Sequence, residues 1–557
     1  MNRRTPLVVL GSILFLAVAT VGAFTVAATA AAVEGPIDPL TKNETDVQEN
    51  ETNARDSLSA HATVRGGPST GEDIGGGDVD GDGSADVLVG QPFNDEAGEN
   101  GGAAHLFYGP VEGGEYDIED ADLTIRGSAG GQWTGYDVNV DDVDGDGYGD
   151  LIVSAPLREE GYVYVFYGGP SLSGTLTPDD ADVVLSGVDQ DEQLGLAVDP
   201  VEHESGAGLV IGAPRSDVGG ENAGAAYYFE SPSTDVTTAD ADLRLVGAES
   251  GHTAGWDVAG ADADGNGSAE IAVGARGVDD AAGAAYVVSS NWSGTHSLAD
   301  ADIVVRGAQS GDRAGQSVDI VGTDDGGEVV VGAPSANRDG SNSGAVYVSP
   351  VESTDLSERD PVFVGSSGDR AGWDVTAGDV TCDDRPDLLV GAPYAEDKAG
   401  AAYVVPGGGG DAAQLLTGES AGDFAGYRLA LVANATGGET RDALVGAPHE
   451  NTTNVTGHAY LLEGECAVDT SPVENATTGD GNGTDGARNG TNGTENGSAN
   501  GTETGGDGGS AETDDATTGP ATADGTNGLP VDIVPASVAV AAALATVGVV
   551  VLWRRRL

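Results

Sequence analysis

Three stretches of nine residues place oxygen-bearing side chains at positions one, three, five and nine, with glycine at four and six. A short loop with that spacing can wrap ligands around a hard divalent cation, because calcium takes six to eight oxygens at roughly 2.3–2.6 Å and glycine lets the backbone curl tightly. The first, DVDGDGSAD, offers Asp78, Asp80, Asp82 and Asp86, with the main-chain carbonyl of Ser84 at position seven. The second, DVDGDGYGD, offers Asp142, Asp144, Asp146 and Asp150 with Tyr148 at seven, and DADGNGSAE offers Asp262, Asp264, Asn266 and Glu270 with Ser268 at seven. A further stretch, DVTCDDRPD, keeps Asp379, Asp383 and Asp387 but has Thr381 at position three and Pro386 stiffening the turn. Clustered carboxylates repel one another unless a cation lies among them, so Ca²⁺ is the expected occupant and its expected role is structural. An acidic chain that merely fills its turns with Asp and Gly is the bland alternative.

Each loop joins two runs of alternating apolar residues, so strands rather than helices must position it. This rules out the helix-loop-helix arrangement of an EF-hand. The loops recur because their surroundings recur. Seven copies of one pattern follow one another between His61 and Leu462, marked by Gly90, Ser154, Gly212, Gly274, Gly332, Gly391 and Gly446 at a mean pitch of about 59 residues. In the second copy the strand-like runs are YDVNV, DLIVSA, YVYVFY and DVVLSG. A sheet of four short strands cannot cover both of its faces alone, and stacking seven around an axis completes the core. HATVRG, from His61 to Gly66, has no counterpart after the last copy. It is therefore expected to complete the seventh sheet and close the ring. The third, fifth and seventh copies have lost the acidic spacing and are expected to bind no metal.

These repeats resemble the FG-GAP family, the units of the seven-bladed β-propeller of integrin α subunits. Gly-Ala-Pro stands intact at Gly212–Pro214, Gly332–Pro334, Gly391–Pro393 and Gly446–Pro448, while the Phe-Gly half is mostly replaced by Ala-Gly followed by Trp, Tyr or Gln. The resemblance implies an all-β, seven-bladed propeller over residues 59–466, calcium in β-hairpin loops, and a role in adhesion or recognition of a surface protein or glycan. It implies no integrin β partner, because the leg domains that follow the propeller in integrin α have no counterpart. FG-GAP repeats also accompany phospholipases, but residues 1–58 leave no room for such a catalytic domain ahead of the repeats. An exported enzyme or carbohydrate-binding subunit, with its site in the propeller cleft, and a structural envelope protein are the competing readings.

Composition narrows the compartment. The net charge is −69, from 92 acidic against 23 basic residues. No basic stripe exists to displace counterions, so nucleic acid is excluded as a partner. Such a surface suits molar salt, where the Debye length falls to roughly 3 Å. Residues 1–33 read as a signal peptide or N-terminal anchor, 34–58 as a polar linker and 467–530 as a disordered, glycosylatable stalk with sequons at Asn475, Asn482, Asn489, Asn492, Asn496 and Asn500. Residues 531–557 read as a C-terminal transmembrane anchor ending in Arg554, Arg555 and Arg556, which places the propeller outside the cell. Whether Cys382 and Cys466 pair is left open.

No catalytic constellation emerges. GESAG at Gly418–Gly422 has the form of a nucleophile elbow, but it aligns with the turn that every copy carries. The aromatics Trp133, Trp256 and Trp373, with Tyr136 and Tyr427, repeat with the fold and are expected to pack between blades. Trp292 lies in a longer loop apart from them.

Overall fold

The computed structural model describes residues 60–464, apart from 204–205, 324–325, 384, 408–411, 439 and 450–455. The expected signal segment, linker, stalk and C-terminal anchor, and Cys466, lie outside the described residues. Among the described residues no helix is long and apolar enough to cross a membrane, and Cys382 is disulfide-bonded.

Seven antiparallel sheets follow one another along the chain. The first blade runs through Ile74–Gly77, Asp86–Gln91, Ala103–Phe107 and Leu123–Arg126. The second runs through Val138–Asp141, Asp150–Ala155, Tyr162–Phe166 and Val183–Ser186, which matches the four runs read from the sequence. The innermost strand of each blade lies against that of the next, and the innermost strand of blade 7 lies against that of blade 1. The chain therefore forms a closed seven-bladed β-propeller.

Closure uses the early strand. Ala62–Gly66 pairs antiparallel with Gly457–Leu462, with Ala62 opposite Leu461 and Gly66 opposite Gly457. Both ends of the described chain thus share one sheet. Four strands per blade understates the architecture, however. Five of the seven sheets hold a fifth strand, contributed by the following blade and paired in parallel to the outermost strand, as Gly114–Asp117 is to Ala62–Gly66. These additions lie in the polar connection before each DAD segment. Asp120, Asp180 and Asp240 bond back to the N–H of Asp117, Thr177 and Thr237 there. Too short and polar to show a strand pattern, they become strands only because a neighbouring edge offers unpaired backbone groups.

The core is divided between the blades. Seven apolar clusters fill the seven blade interfaces, among them Val201, Val210 and Leu243 against Val258, Ile271 and Val273, and Val64 and Leu461 against Ile74 and Val89. The second strands Asp86–Gln91, Asp150–Ala155, Glu270–Ala275 and Asp387–Ala392 are buried at every residue, since both of their faces are covered. This explains their unbroken apolar runs.

The glycine ahead of Ala-Pro has a steric cause. At Gly90, Gly212, Gly274, Gly332, Gly391 and Gly446 a Cβ would collide with the carbonyl oxygen of a glycine in the next blade. Those partner glycines, such as Gly135, Gly255 and Gly315, take φ of 80°, 75° and 78°, which a side chain would strain. In the second copy Ser154 occupies this position, and its hydroxyl accepts the Asp137 N–H at 3.0 Å.

Candidate functional site

The loops joining first and second strands gather at one end of the propeller, and the loops joining second and third strands gather at the other. Each end presents its own chemistry.

At the first end, three hairpins are built alike. Asp78 accepts the N–H groups of Gly81 at 2.8 Å, Asp82 at 3.1 Å and Gly83 at 2.9 Å, while Asp80 accepts that of Asp82 and Asp82 that of Ser84. Asp142 repeats this with Gly145, Asp146 and Gly147 at 2.7, 3.0 and 2.9 Å, and Asp146 accepts the N–H of Tyr148. Asp262 does so with Asn266 and Gly267, and the Asn266 side chain accepts from Ser268. Val79, Val143 and Ala263 at position two are buried beneath the loops and anchor them.

This scaffold brings oxygens together. One oxygen each from Asp78, Asp80 and Asp86 lie within 4.8 Å of one another, as do those of Asp142, Asp144 and Asp146, and those of Asp262, Asp264 and Glu270. Two oxygens bound to one calcium ion can stand no more than about 5.2 Å apart, so the donor sets fit a cation of that size. In the sixth hairpin Asp379 accepts the N–H of Asp383, and Asp387 accepts those of Val380 and Thr381. No group of three converging oxygens occurs there among the described residues.

Position nine holds a second task that its spacing does not reveal. Asp86 accepts the N–H of Val79 at 2.8 Å and that of Gly109, at the end of the third strand, at 2.7 Å. Asp150 does the same with Val143 and Gly168. Burial pushes both carboxyls up to about 7. Asp442 occupies the same place in the seventh hairpin, which lacks the other acids, and it accepts from Thr436 at 2.8 Å and Gly464 at 3.0 Å. The ninth residue is therefore a hairpin staple as well as a candidate ligand.

A second carboxylate set lines the axis. Each stands two residues beyond the left-handed glycine of its blade and reaches into the blade that follows. Asp73 accepts the N–H of Val138 at 2.6 Å, Asp257 that of Val318 at 2.7 Å and Asp374 that of Leu429 at 2.7 Å. Arg428 holds this place in blade 7, with Nε 3.4 Å from Asp73 and Nη1 3.6 Å from Asp374. Burial raises the Asp73 and Asp257 carboxyls to about 7, against the pull of Arg428. Asp137 rises for the same reason, with Asp73 adding to it. Their fixed offset from the glycine is visible in the sequence, but no local spacing marks them as a set.

At the opposite end the repeated aromatics gather at the mouth of the ring. Trp133 meets Phe93 at 5.0 Å and Tyr136 at 5.8 Å, and Trp373 meets Tyr394 at 5.6 Å and Tyr427 at 5.5 Å. They pack between blades as expected, Trp133 on Phe93 of blade 1 and Trp373 on Tyr427 of blade 7, yet Trp133, Tyr136, Trp373 and Tyr427 are each only half-buried. A position repeated around a closed ring returns to the same end of the axis, so recurrence itself produces the gathering. Trp292 instead packs on the core of blades 3 and 4 and lies tilted against His296, with ring centres 4.7 Å apart. Nearby, the Ser420 hydroxyl donates to Asp423 at 2.8 Å, and His449 Nδ1 lies 3.2 Å from the same oxygen. With the carboxylate between serine and histidine, the His449 imidazole is not placed to activate the hydroxyl.

The FG-GAP repeat model matches residues 70–107, 134–166 and 371–405. Each segment opens beside the left-handed glycine turn and ends with the third strand of its blade. Three of the seven blades thus carry a segment matching the FG-GAP repeat, and the propeller is similar to integrin-type assemblies of such repeats. Over 243 residues it is 29% identical to integrin alpha-PS2 of Drosophila melanogaster, covering 40% of this chain and 16% of that protein. Over 187 residues it is 27% identical to the phosphatidylinositol-glycan-specific phospholipase D of Dictyostelium discoideum, covering 29% of this chain and 19% of that one. The matches thus span under a fifth of each relative's length. Among solved structures, the Dos1 propeller aligns with a TM-score of 0.38 at 10% identity, covering 74% of this chain and 93% of that chain.

Proposed function

We propose that this chain is a non-catalytic recognition propeller, displayed outside the cell, whose three hairpins of blades 1, 2 and 4 bind calcium. The observation that carries the metal assignment is the threefold recurrence of one bonding scheme with oxygens converging within 4.8 Å. Asp78, Asp80 and Asp86 in the first hairpin, Asp142, Asp144 and Asp146 in the second, and Asp262, Asp264 and Glu270 in the third would hold the ions. A divalent charge there would offset the repulsion among the carboxylates and fix each loop against its blade. The likeness to an integrin α chain supports the adhesive role and the extracellular setting. The likeness to a phospholipase D adds no active site to this reading, because the Ser420, Asp423 and His449 group has the wrong order for a nucleophile.

The metal assignment is tested on protein purified in molar KCl with calcium present. Elemental analysis is expected to find three calcium ions per chain, and excess EDTA at constant salt is expected to lower the melting temperature. A site filled at a hundred times its Kd contributes about 2.7 kcal/mol, so the combined shift should be large. Calcium-free protein with an unchanged melting curve would refute the assignment. The adhesive role is tested separately: cells lacking the chain should lose calcium-dependent aggregation and regain it on complementation.

A further inference from the structure

On the face opposite the hairpins, a cavity of about 350 Å³ opens between blades 6, 7 and 1. Its volume falls in the range of sites that take small ligands, about 300–1,000 Å³. Its walls are ring faces and edges: Trp373 against Tyr394 and Tyr427, and Tyr394 edge-on to Phe424 at 5.2 Å. Phe424 is buried and holds a left-handed φ of 59°, so the wall is built rather than draped. Glu72 lies among these rings and bonds the Tyr427 hydroxyl.

Two of the chain's few cations lie against these aromatic walls, while Glu72 and His449 are the ionisable side chains, besides the tyrosines, that line the cavity itself. The Arg370 guanidinium lies 4.1 Å from the centre of the Tyr394 ring and 5.8 Å from that of Trp373. Lys398 Nζ lies 5.3 Å from Phe424 and 5.6 Å from Tyr394. Farther around the mouth Arg276 stacks on Trp256, and burial together with Arg313 pushes it down to about 9. Among the described residues, neither Arg276, Arg313 nor Arg370 has a carboxylate within ion-pair distance, whereas Arg65, Arg338, Arg359 and Arg428 all do.

These features select a ligand class. A cation would be repelled by Arg370 and Lys398, which already occupy the electron-rich ring faces. A purely apolar ligand would bury Glu72 without a new partner. A pyranose ring has an apolar C–H face for Trp373 and hydroxyls for Glu72. An acid group on it would meet the planar fork of Arg370, which matches carboxylate or sulfate in two parallel bonds.

We propose that this aromatic and cationic mouth binds an acidic saccharide, a uronic acid or sulfated sugar unit of a surface glycan. The assignment rests on the recognition role proposed above and names its ligand. The propeller, calcium-loaded in molar KCl, is titrated calorimetrically with trigalacturonate, its methyl ester, a sulfated disaccharide and the unsulfated parent, with tryptophan fluorescence as a second readout. Trigalacturonate or the sulfated disaccharide should bind at least about tenfold more tightly than its uncharged counterpart. Which of the two binds decides between carboxylate and sulfate. Arg370→Ala and Trp373→Ala should each weaken binding about tenfold or more with calcium content unchanged. If Trp373→Ala fails to fold, Arg370→Ala and Trp373→Phe decide. No binding of any probe, equal binding of charged and neutral probes, or binding indifferent to Arg370→Ala would overturn the proposal. In those cases calcium-dependent melting and aggregation would still report independently on the recognition role.

Discussion

Asp73 and Asp78 stand five residues apart in the first blade, yet their partners belong to different parts of the molecule. Asp78 is bonded by Gly81, Asp82 and Gly83, all in its own loop. Asp73 is bonded by Val138, 65 residues on and in the next blade. The same contrast recurs between Asp262 and Asp257 and distinguishes two uses of one residue type. The hairpin acids organise a local turn whose charge calls for a cation from solution. The axial acids tie blade to blade, and their charge is offset by Arg428 or removed by protonation. Net charge alone therefore says little about an acidic protein, because each carboxylate is decided by where its counter-charge comes from.

The contrast can be broken experimentally. Arg428→Met should have the largest effect among single substitutions. Removing the basic partner that Asp73 and Asp374 share leaves buried acids uncompensated, at a cost of about 3–5 kcal/mol, seen as a lower denaturation midpoint in molar salt with calcium still bound. A loss of calcium with unchanged stability would show that the two sets are not separate. Asp78→Ala should remove one ion per chain and with it about 2.7 kcal/mol when calcium stands at a hundred times its Kd, and cost less in EDTA, where only its three exposed loop hydrogen bonds are lost.

Asp442→Ala sharpens the contrast within the hairpins themselves. It strips the acceptor from Thr436 and Gly464 and should cost about 1–3 kcal/mol, equally with and without calcium, because blade 7 has the staple but not the site. A calcium-dependent effect there would sink the distinction. A final test is the pH dependence of calcium-free protein. Asp73 and Asp257 titrate near 7 in the fold against 3.8 as the reference value, so the folded state holds protons that the unfolded chain has lost. Stability should fall as pH rises from about 4 to about 7 and level off above, which melting curves in EDTA across that range would check.

Much of this architecture could be read along the chain. The seven copies, the strand runs of the second blade and the closing role of His61–Gly66 all appear as local pattern, because turn glycines and alternation act over a few residues. The hairpin spacing was equally legible, since all of its bonds span nine residues. The staple at Asp86 was half legible: its acid was noted, but its bond to Gly109 crosses to another strand. The parallel fifth strands escaped notice because Gly114–Asp117 acquires strand geometry only from the edge it joins.

The repeat, the blade and the candidate metal loops are written along the chain, because each rests on contacts between near neighbours in it. That Asp73, Asp257 and Asp374 link successive blades, and that Trp373, Tyr394 and Tyr427 gather beside Arg370, follows from the folded ring alone. Those relations join residues a full repeat or more apart, or place them at a common axis. A periodic sequence shows that a position recurs, but the closing of the ring decides what it meets.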